Sequence, residues 1–413
     1  MKCNCPGGAF RVARDPLDSI QQALAGVPEQ RRRRLRTFRP GPAATLLPVD
    51  AGPLRRPLLD LASNDYLGLS AHPSLKAAAM AAIGSEGVGS GGSRLVSGTR
   101  PSHVRLEAAL AQWLGRERVL LFPSGFQANL AAVLALADRH SEVIADRLIH
   151  HSLLVGIQAS GARLRRFRHN DRSDLRRLLE RGARSEPDRR QLVVSESLFS
   201  MEGTSPDLAG IAATCREFGA LLLVDEAHAL GLLGPGGRGL AWGLAGVSLV
   251  SGTFGKAFGA GGAFLAADGP LGPWLLQSSG AFRYTTALAP PLAAAALAAL
   301  ELLQADPGQG EALMRRARRW RDGLEDAGWR RPPGEGPILP LHVGDDALAL
   351  DLQGHLEQAG LLGVAIRPPT VPAGTARLRL VLRRDLPHGS LDRLLQALAA
   401  WPHAPASASA PAP

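Results

Sequence analysis

Cysteine and aromatic residues are scarce in this chain of 413 residues, and charged residues make up only 20% of it. With 45% hydrophobic residues, this balance is ordinary for a globular protein and excludes disordered, collagen-like and coiled-coil chains. Three cysteines, Cys3, Cys5 and Cys215, are too few for a disulfide framework, so we expect them to be reduced and the protein to be cytoplasmic. Cys3 and Cys5 alone cannot close a metal site, which takes about four ligands. No bound metal is therefore expected.

Long apolar runs and a secretory signal are also missing. The apolar run Leu292–Leu300 is far shorter than the roughly 20 residues that cross a bilayer. Met1–Asp15 has no apolar core of a signal peptide. We therefore expect no membrane partner.

Lysine is the scarcest basic residue, since it occurs only at Lys2, Lys76 and Lys256 and 44 of the 47 basic residues are arginine. The formal net charge of +10 is compatible with a nucleic-acid-binding protein. An overall bias toward arginine explains it as well, and the chain has no recognisable nucleic-acid motif. We therefore keep nucleic-acid binding only as a remote alternative.

The distribution of residue types predicts four parts. Residues 1–60 form an N-terminal segment rich in arginine and proline, with a possible short helix at Leu17–Gly26. Residues 61–290 form a large α/β domain, and residues 291–402 a smaller α+β domain. Residues 403–413, rich in proline, alanine and serine, are expected to be a disordered tail.

Short apolar runs alternate with helical patterns in the large domain, which predicts a mostly parallel sheet with helices on both faces. The predicted strands are Val119–Phe122, Glu142–Ala145, Leu164–Phe167, Gln191–Ser195, Leu221–Val224, Leu249–Thr253 and Ala263–Ala266. The predicted helices between them are Phe126–Ala137, Ser173–Arg181 and Leu208–Phe218.

Asp225 and Lys256 are the strongest candidate functional pair. Asp225 follows a wholly apolar strand, and the carboxyl ends of parallel strands form the ligand crevice of such sheets. Lys256 lies among glycines and apolar residues, where poor solvation lowers the pKa of an amine and makes it nucleophilic. A helix-capping aspartate and an ordinary surface lysine remain the alternatives.

Three further features fall at strand ends. His228 comes three residues after Asp225, and His150 follows the predicted strand Glu142–Ala145. Histidines are often structural, but two of them beside an aspartate and a lysine favour a site. Gly125 and Phe126 join a strand to a helix, where backbone N–H groups can hold a phosphate.

Seven segments together resemble the α-oxoamine synthases, a family of fold-type I enzymes that depend on pyridoxal 5'-phosphate (PLP). The matching segments are Ser63–Leu69, Gly89–Ser93, Phe122–Asn129, Asp146–His150, Phe199–Gly203, Val224–His228 and Thr253–Lys256. They keep the family order over residues 60–385. The resemblance implies a homodimer with a large PLP-binding α/β domain and a smaller C-terminal domain.

The segments Phe167–Asp171 and Ile366–Arg379 are most similar to family members that condense L-alanine with a pimeloyl thioester. Such acyltransferases release CO2 and a free thiol, and their product enters biotin synthesis. The resemblance does not distinguish CoA from acyl carrier protein as the acyl carrier. Siblings that use glycine or serine with another acyl-CoA remain the alternative.

The resemblance also implies roles for single residues. Lys256 would form the Schiff base with PLP and move a proton at the substrate α-carbon, while Asp225 would keep the pyridine nitrogen protonated. His150 would stack on the ring and His228 would bond its phenolic oxygen. The residues implied in positioning the phosphate and ring are Gly125, Phe126, Ser200 and Thr253, with Thr285 and Thr286 serving the neighbouring subunit.

For the substrates, the resemblance implies Arg379, assisted by Asn64, as the group that binds the amino acid carboxylate. A planar guanidinium suits a carboxylate because it donates two parallel hydrogen bonds. Arg367 and Thr370 fit the second-substrate pocket, and we expect Arg36 to line it too. In so arginine-rich a chain, each of these arginines could instead be a solvated surface charge.

Overall fold

The structure is a computed structural model that describes residues 15–49 and 56–404. The expectations for Cys3, Cys5 and the tail beyond residue 404 fall outside these residues. In the described part of the chain, no helix combines the length and the apolar character needed to cross a membrane.

The strands and helices alternate through the middle of the chain. The strands are β1 (Phe38–Pro40), β2 (Thr45–Pro48), β3 (Leu58–Asp60), β4 (Arg118–Phe122), β5 (Glu142–Asp146), β6 (Arg163–Phe167), β7 (Gln191–Glu196), β8 (Leu221–Asp225), β9 (Leu249–Thr253), β10 (Ala263–Ala267), β11 (Ile338–Gly344), β12 (Leu361–Leu362), β13 (Val364–Ile366) and β14 (Ala376–Val381). The helices are α1 (Pro16–Ala25), α2 (Pro73–Glu86), α3 (Pro101–Leu114), α4 (Gly125–Leu136), α5 (His151–Ser160), α6 (Arg172–Ser185), α7 (Leu208–Glu217), α8 (Leu271–Ser278), α9 (Gly280–Arg283), α10 (Pro290–Ala305), α11 (Gln309–Asp326), α12 (Asp346–Gln358) and α13 (Ser390–Ala399).

A seven-stranded sheet in the order β4-β10-β9-β8-β7-β5-β6 forms the centre of the fold. β10 runs antiparallel to both of its neighbours, and the pairs from β9 through β8, β7 and β5 to β6 are parallel. The predicted α/β fold with a mostly parallel sheet is confirmed.

Both faces of this sheet are buried, each against its own hydrophobic cluster. Successive side chains of a strand alternate between the two faces. In β8, Leu222 and Val224 join one hydrophobic cluster, which also holds residues of α3, α6, α7 and α10. Leu223 between them joins the second cluster, with residues of α4 and α5. An unbroken apolar strand is the expected result.

Two smaller sheets lie outside the central one. One has the order β1-β2-β3-β12, with β3 parallel to β12, and the other has the order β11-β14-β13 and is antiparallel. Strands of the N-terminal segment therefore pair with the C-terminal part of the chain. α10 packs along α2 and α3, across the boundary predicted at residue 290. The domain limits themselves stay a prediction.

Arg321 of α11 is fully buried and holds a loop in place. Its guanidinium donates hydrogen bonds to the carbonyl oxygens of Ala317, Pro332, Pro333, Gly336 and Ile338. Burial lowers the pKa of Arg321 to about 10, so the group is still charged at neutral pH. The loop 332–338 packs against Gly203, where an added Cβ would come within 2.5 Å of the Ile338 carbonyl oxygen.

We expect Arg321→Leu to lower the free energy of unfolding by at least about 3 kcal/mol, because several buried carbonyl groups lose a charged hydrogen-bond donor. The measurement is urea unfolding followed by circular dichroism. Arg318→Leu is the matched control, since Arg318 is exposed on the same helix and should change stability by less than about 0.5 kcal/mol. Equal stability of both variants would contradict a structural role for Arg321.

Candidate active site

A cavity of about 170 Å³ opens at the carboxyl ends of the central strands, beside the first turn of α4. Its lining residues are Gly125, Phe126, Asn129, His150, Glu196, Asp225, Ala227, His228, Ser251, Gly252, Thr253 and Lys256. Seven predicted site residues are thus brought together in one place: Gly125, Phe126, His150, Asp225, His228, Thr253 and Lys256.

Asp225 is the last residue of β8 and is 6% exposed. Its Oδ1 atom accepts the backbone N–H of Ala227 at 2.9 Å, and its Oδ2 atom accepts Asn129 Nδ2–H at 2.7 Å. These bonds fix the carboxylate in the cavity wall. A buried carboxylate in that position favours a cationic partner within the cavity.

Lys256 lies in the turn after β9 and lines the same cavity. Burial lowers its pKa to about 8, against the opposite effect of the nearby Asp225 and Glu196 carboxyl groups. At pH 7 about a tenth of this amine is therefore free of its proton, far more than of an ordinary lysine. An unprotonated amine is the form that attacks a carbonyl group.

His150 caps the start of α5 and is tied to Asp225 through two side chains. Asn129 Nδ2–H also donates to Ser152 Oγ at 2.9 Å, and Ser152 Oγ lies 2.7 Å from His150 Nδ1. Burial of the ring lowers the pKa of His150, and the nearby Lys256 acts in the same direction. His150 is therefore a neutral ring at physiological pH.

His228 faces the cavity from the turn after β8. Its Nδ1 atom lies 2.5 Å from the hydroxyl of Tyr66, which is fully buried. The pKa of His228 lies well below its ordinary value because the ring is buried, with Lys256 and Arg379 nearby.

The start of α4 forms another part of the cavity wall. Ser124 caps this helix by accepting the N–H of Gln127, which leaves the first-turn N–H groups of Gly125 and Phe126 without helical partners. A Cβ added at Gly125 would lie 3.6 Å from the Thr253 side chain, so this corner is narrow. Free N–H groups at a helix start favour an anion such as phosphate.

Arg379 of β14 forms a second cluster beside the cavity and is only 7% exposed. Its Nε–H donates to the Ser200 carbonyl at 2.7 Å, and its Nη2–H donates to Asn64 Oδ1 at 3.0 Å. The guanidinium still has further N–H groups for a ligand. Ser200 therefore orients Arg379 through its backbone, and it is not among the cavity-lining residues.

The acyl-pocket candidates lie where the N-terminal segment meets the loop after β13. Arg33 Nη2–H donates to Thr370 Oγ1 at 3.1 Å, and Arg367 contacts the Gln30 carbonyl. Arg36 instead forms two hydrogen bonds with Glu357, at 2.7 and 3.0 Å. The N-terminal arginine that contacts Thr370 is thus Arg33 rather than Arg36.

Thr285 and Thr286 follow α9, away from the cavity. Thr286 pairs with Ser93 of the glycine-rich loop in an isolated β-bridge. Neither threonine lines the cavity of its own chain, so a role there requires a neighbouring subunit.

Glu196 was not singled out in the sequence, although it lines the cavity. It is the last residue of β7, lies opposite Asp225 in the strand register, and is 3% exposed. Its Oε1 atom has no hydrogen-bond partner in the described residues. Burial and the charge of Asp225 raise the pKa of Glu196 well above its ordinary value. Its position after an apolar run is the signal that could have identified it.

The profile of the aminotransferase class I and II family matches residues 56–398. The chain belongs to this family.

Curated relatives named 8-amino-7-oxononanoate synthase match most of the chain. The protein from Acidithiobacillus ferrooxidans strain ATCC 53993 is 43% identical over 370 residues, which cover 89% of this chain and 93% of the relative. The protein from Klebsiella pneumoniae strain 342 is 47% identical over 343 residues, covering 82% and 88%. The resemblance to α-oxoamine synthases is confirmed by these matches.

Solved structures give the same fold. A serine palmitoyltransferase from S. paucimobilis, solved with bound PLP–myriocin aldimine, has a TM-score of 0.83 and 29% identity, covering 93% of this chain and 96% of that one. An 8-amino-7-oxononanoate synthase from Francisella tularensis has a TM-score of 0.71 and 28% identity, covering 83% and 96%.

The lowered pKa of Lys256 predicts a pH profile for its chemical modification. In the cofactor-free protein, labelling of Lys256 by an amine acylating reagent should rise with pH and reach half its maximal rate at about pH 8. Asp225→Asn should move this midpoint to lower pH, because the carboxylate favours the charged amine. Peptide mass spectrometry measures the label, with exposed Lys76 as internal reference. Labelling of Lys256 and Lys76 over the same pH range would contradict the prediction.

Proposed function

We propose that this protein is a PLP-dependent 8-amino-7-oxononanoate synthase, an acyltransferase of biotin biosynthesis. It condenses L-alanine with a pimeloyl thioester and releases CO2 and a free thiol. The observation that carries the proposal is the convergence of an amine of lowered pKa and a buried carboxylate in one cavity, with a buried guanidinium in the cluster beside it. Identities of 43% and 47% to proteins of that name support the substrate class.

The cavity has the groups that PLP requires. Asp225 would face the pyridine nitrogen, and the free N–H groups of Gly125 and Phe126 would hold the phosphate. Lys256 lines the same cavity and would be the amine that links the cofactor. Thr253 narrows the phosphate corner, and His150 would face the ring. The orphaned Oε1 atom of Glu196 indicates that a polar ligand completes this cavity.

When bound, PLP supplies an electron sink for the carbanion formed at the substrate α-carbon. Asp225 would keep the pyridine nitrogen protonated, because its buried charge favours a cation beside it. Lys256 would accept and return the proton at the α-carbon, a task that suits an amine with a pKa of about 8. His228 would donate a hydrogen bond to the phenolic oxygen of the ring.

Arg379 binds the carboxylate of the amino acid, assisted by Asn64. The Ser200 carbonyl and the Asn64 side chain fix the guanidinium on two sides. A guanidinium held in one orientation loses little freedom when it binds a carboxylate. The substrate α-carbon is thereby presented to Lys256.

The acyl thioester would enter where the N-terminal segment meets the loop after β13. Arg367 and Thr370 contribute there from the loop, and Arg33 joins them through its bond to Thr370. Arg36 forms an ion pair with Glu357 and thereby helps to hold the N-terminal segment in place. Guanidinium groups suit the phosphates of CoA and the acidic surface of a carrier protein alike.

The active form is a homodimer in this proposal. Large apolar and aromatic side chains near the glycine-rich loop are exposed in the single chain, among them Val88, Val96 and Tyr284, at 72%, 84% and 82% exposure. Covering this patch with a second copy would bring Thr285 and Thr286 to the neighbouring site. The scarcity of cysteine is the reason to place the enzyme in the cytoplasm.

We expect Lys256→Ala to lose the visible absorption band of the Schiff base with PLP and nearly all turnover, because the cofactor loses its covalent link and the α-carbon loses its base. Lys76→Ala, in an exposed position on α2, is the matched control and should keep both.

Asp225→Asn should keep bound cofactor but lose orders of magnitude in rate, because a neutral amide cannot hold the pyridinium proton. A wild-type protein that stays colourless with PLP would overturn the cofactor assignment.

Substrate choice is tested by a matrix of alanine, glycine and serine against pimeloyl, acetyl, succinyl and palmitoyl thioesters, scored by CO2 release. We expect the highest kcat/KM for alanine with a pimeloyl thioester. A pocket discriminates one methyl group by only about 1–3 kcal/mol, so alanine over glycine is the most demanding comparison. Highest kcat/KM for glycine with acetyl-CoA, or for serine with palmitoyl-CoA, would assign a sibling reaction and leave the PLP chemistry intact.

A further inference from the structure

Tyr66 is a buried polar side chain that the mechanism above does not use. It is 0% exposed, and its hydroxyl oxygen lies 2.5 Å from His228 Nδ1. The same oxygen lies 3.4 Å from Asn64 Oδ1. Tyr66 thus lies between His228, which lines the cavity, and the pair Asn64 and Arg379, which is proposed to bind the amino acid carboxylate.

Both members of the Tyr66–His228 pair are uncharged. Burial raises the pKa of Tyr66 above its ordinary value, so the hydroxyl keeps its proton. Burial beside Lys256 keeps the pKa of His228 well below its usual range, so its ring has one N–H group only. The bond at 2.5 Å must therefore use either the tyrosine proton or an Nδ1 proton.

The surroundings of the hydroxyl decide between these two arrangements. Arg379 lies near the tyrosine oxygen and opposes the effect of burial on the pKa of Tyr66, and a guanidinium can only donate hydrogen bonds. If Nδ1 also donated to that oxygen, the tyrosine proton would be left with Asn64 Oδ1 at 3.4 Å, a far poorer acceptor position. The short bond is therefore donated by Tyr66.

A histidine that accepts at Nδ1 carries its proton on Nε2. In the described residues Nε2 has no hydrogen-bond partner, and His228 lines the cavity. We propose that Tyr66 is a positioning residue that fixes neutral His228 as the Nε2–H tautomer, so that His228 donates a hydrogen bond into the cavity. The inference rests on the proposed function, in which this donor meets the phenolic oxygen of PLP.

The test is ¹⁵N NMR of the full-length protein labelled at histidine, with and without PLP. His228→Asn identifies the His228 signals by their loss. In the wild type we expect an unprotonated, hydrogen-bonded Nδ1 and a protonated Nε2. Tyr66→Phe removes the donor but keeps the ring, and should give a mixture of both tautomers or the reversed one.

Tyr284→Phe is the matched control, since Tyr284 is the other tyrosine of the chain and is exposed. It should leave the His228 signals unchanged. A protonated Nδ1 in the wild type would overturn the proposal even if Tyr66→Phe does not fold. Identical His228 signals in wild type and folded Tyr66→Phe would overturn it as well.

Kinetics separate this inference from the proposed function. Tyr66→Phe should lower kcat by about five- to tenfold, the effect of one misdirected hydrogen bond, with the KM for the thioester unchanged. Wild-type protein without condensation activity but with the expected tautomer would contradict the proposed function alone. Full activity with the wrong tautomer would contradict the role of Tyr66 alone.

Discussion

The buried charge of Asp225 is the interaction on which the rest of the site depends. Two donors hold this carboxylate in place at the end of β8, and neither of them is a cation. Burial raises the pKa of Glu196, its neighbour in the strand register, and the charge of Asp225 adds to that rise. The same charge opposes the effect of burial on the pKa of Lys256. Burial and one fixed negative charge thus act together on the protonation of the neighbouring groups, and in the proposed function a protonated ring nitrogen would supply the cation that this carboxylate favours.

The amino acid side of the site depends on a different support. Arg379 is oriented by the Ser200 carbonyl, which lies in the segment between β7 and α7. Gly203 of that segment packs tightly on Ile338, whose carbonyl is in turn held by Arg321. A buried cation of the C-terminal part therefore stabilises the segment whose Ser200 carbonyl orients the Arg379 guanidinium.

The fold could be predicted because the strands of the central sheet are apolar on both faces, which leaves a strong pattern. Strand-end positions then identified Asp225 and His228 as candidates. Tyr66 was not predicted because its contact with His228 joins segments that are distant in the sequence. Glu196 was not predicted although it ends an apolar strand, as Asp225 does. α2 is not among the predicted helices, because its alanine-rich composition leaves little contrast between its faces. Arg33 and Arg36 lie in the same arginine-rich run of the sequence. Only the three-dimensional contact of Arg33 with Thr370 distinguishes them as candidates for the acyl pocket.

The choice between arginine and lysine follows from the chemistry at each position. Arg321 and Arg379 bond backbone carbonyls from several nitrogens at once, which the single ammonium of lysine cannot do in a plane. A guanidinium also stays protonated when buried, whereas an amine does not. In the proposed function that weakness is the useful property at position 256, because the cofactor link and the proton transfer would both need an amine that gives up its proton near pH 8. In a chain that otherwise uses arginine, a lysine at this position is explained by the need to deprotonate.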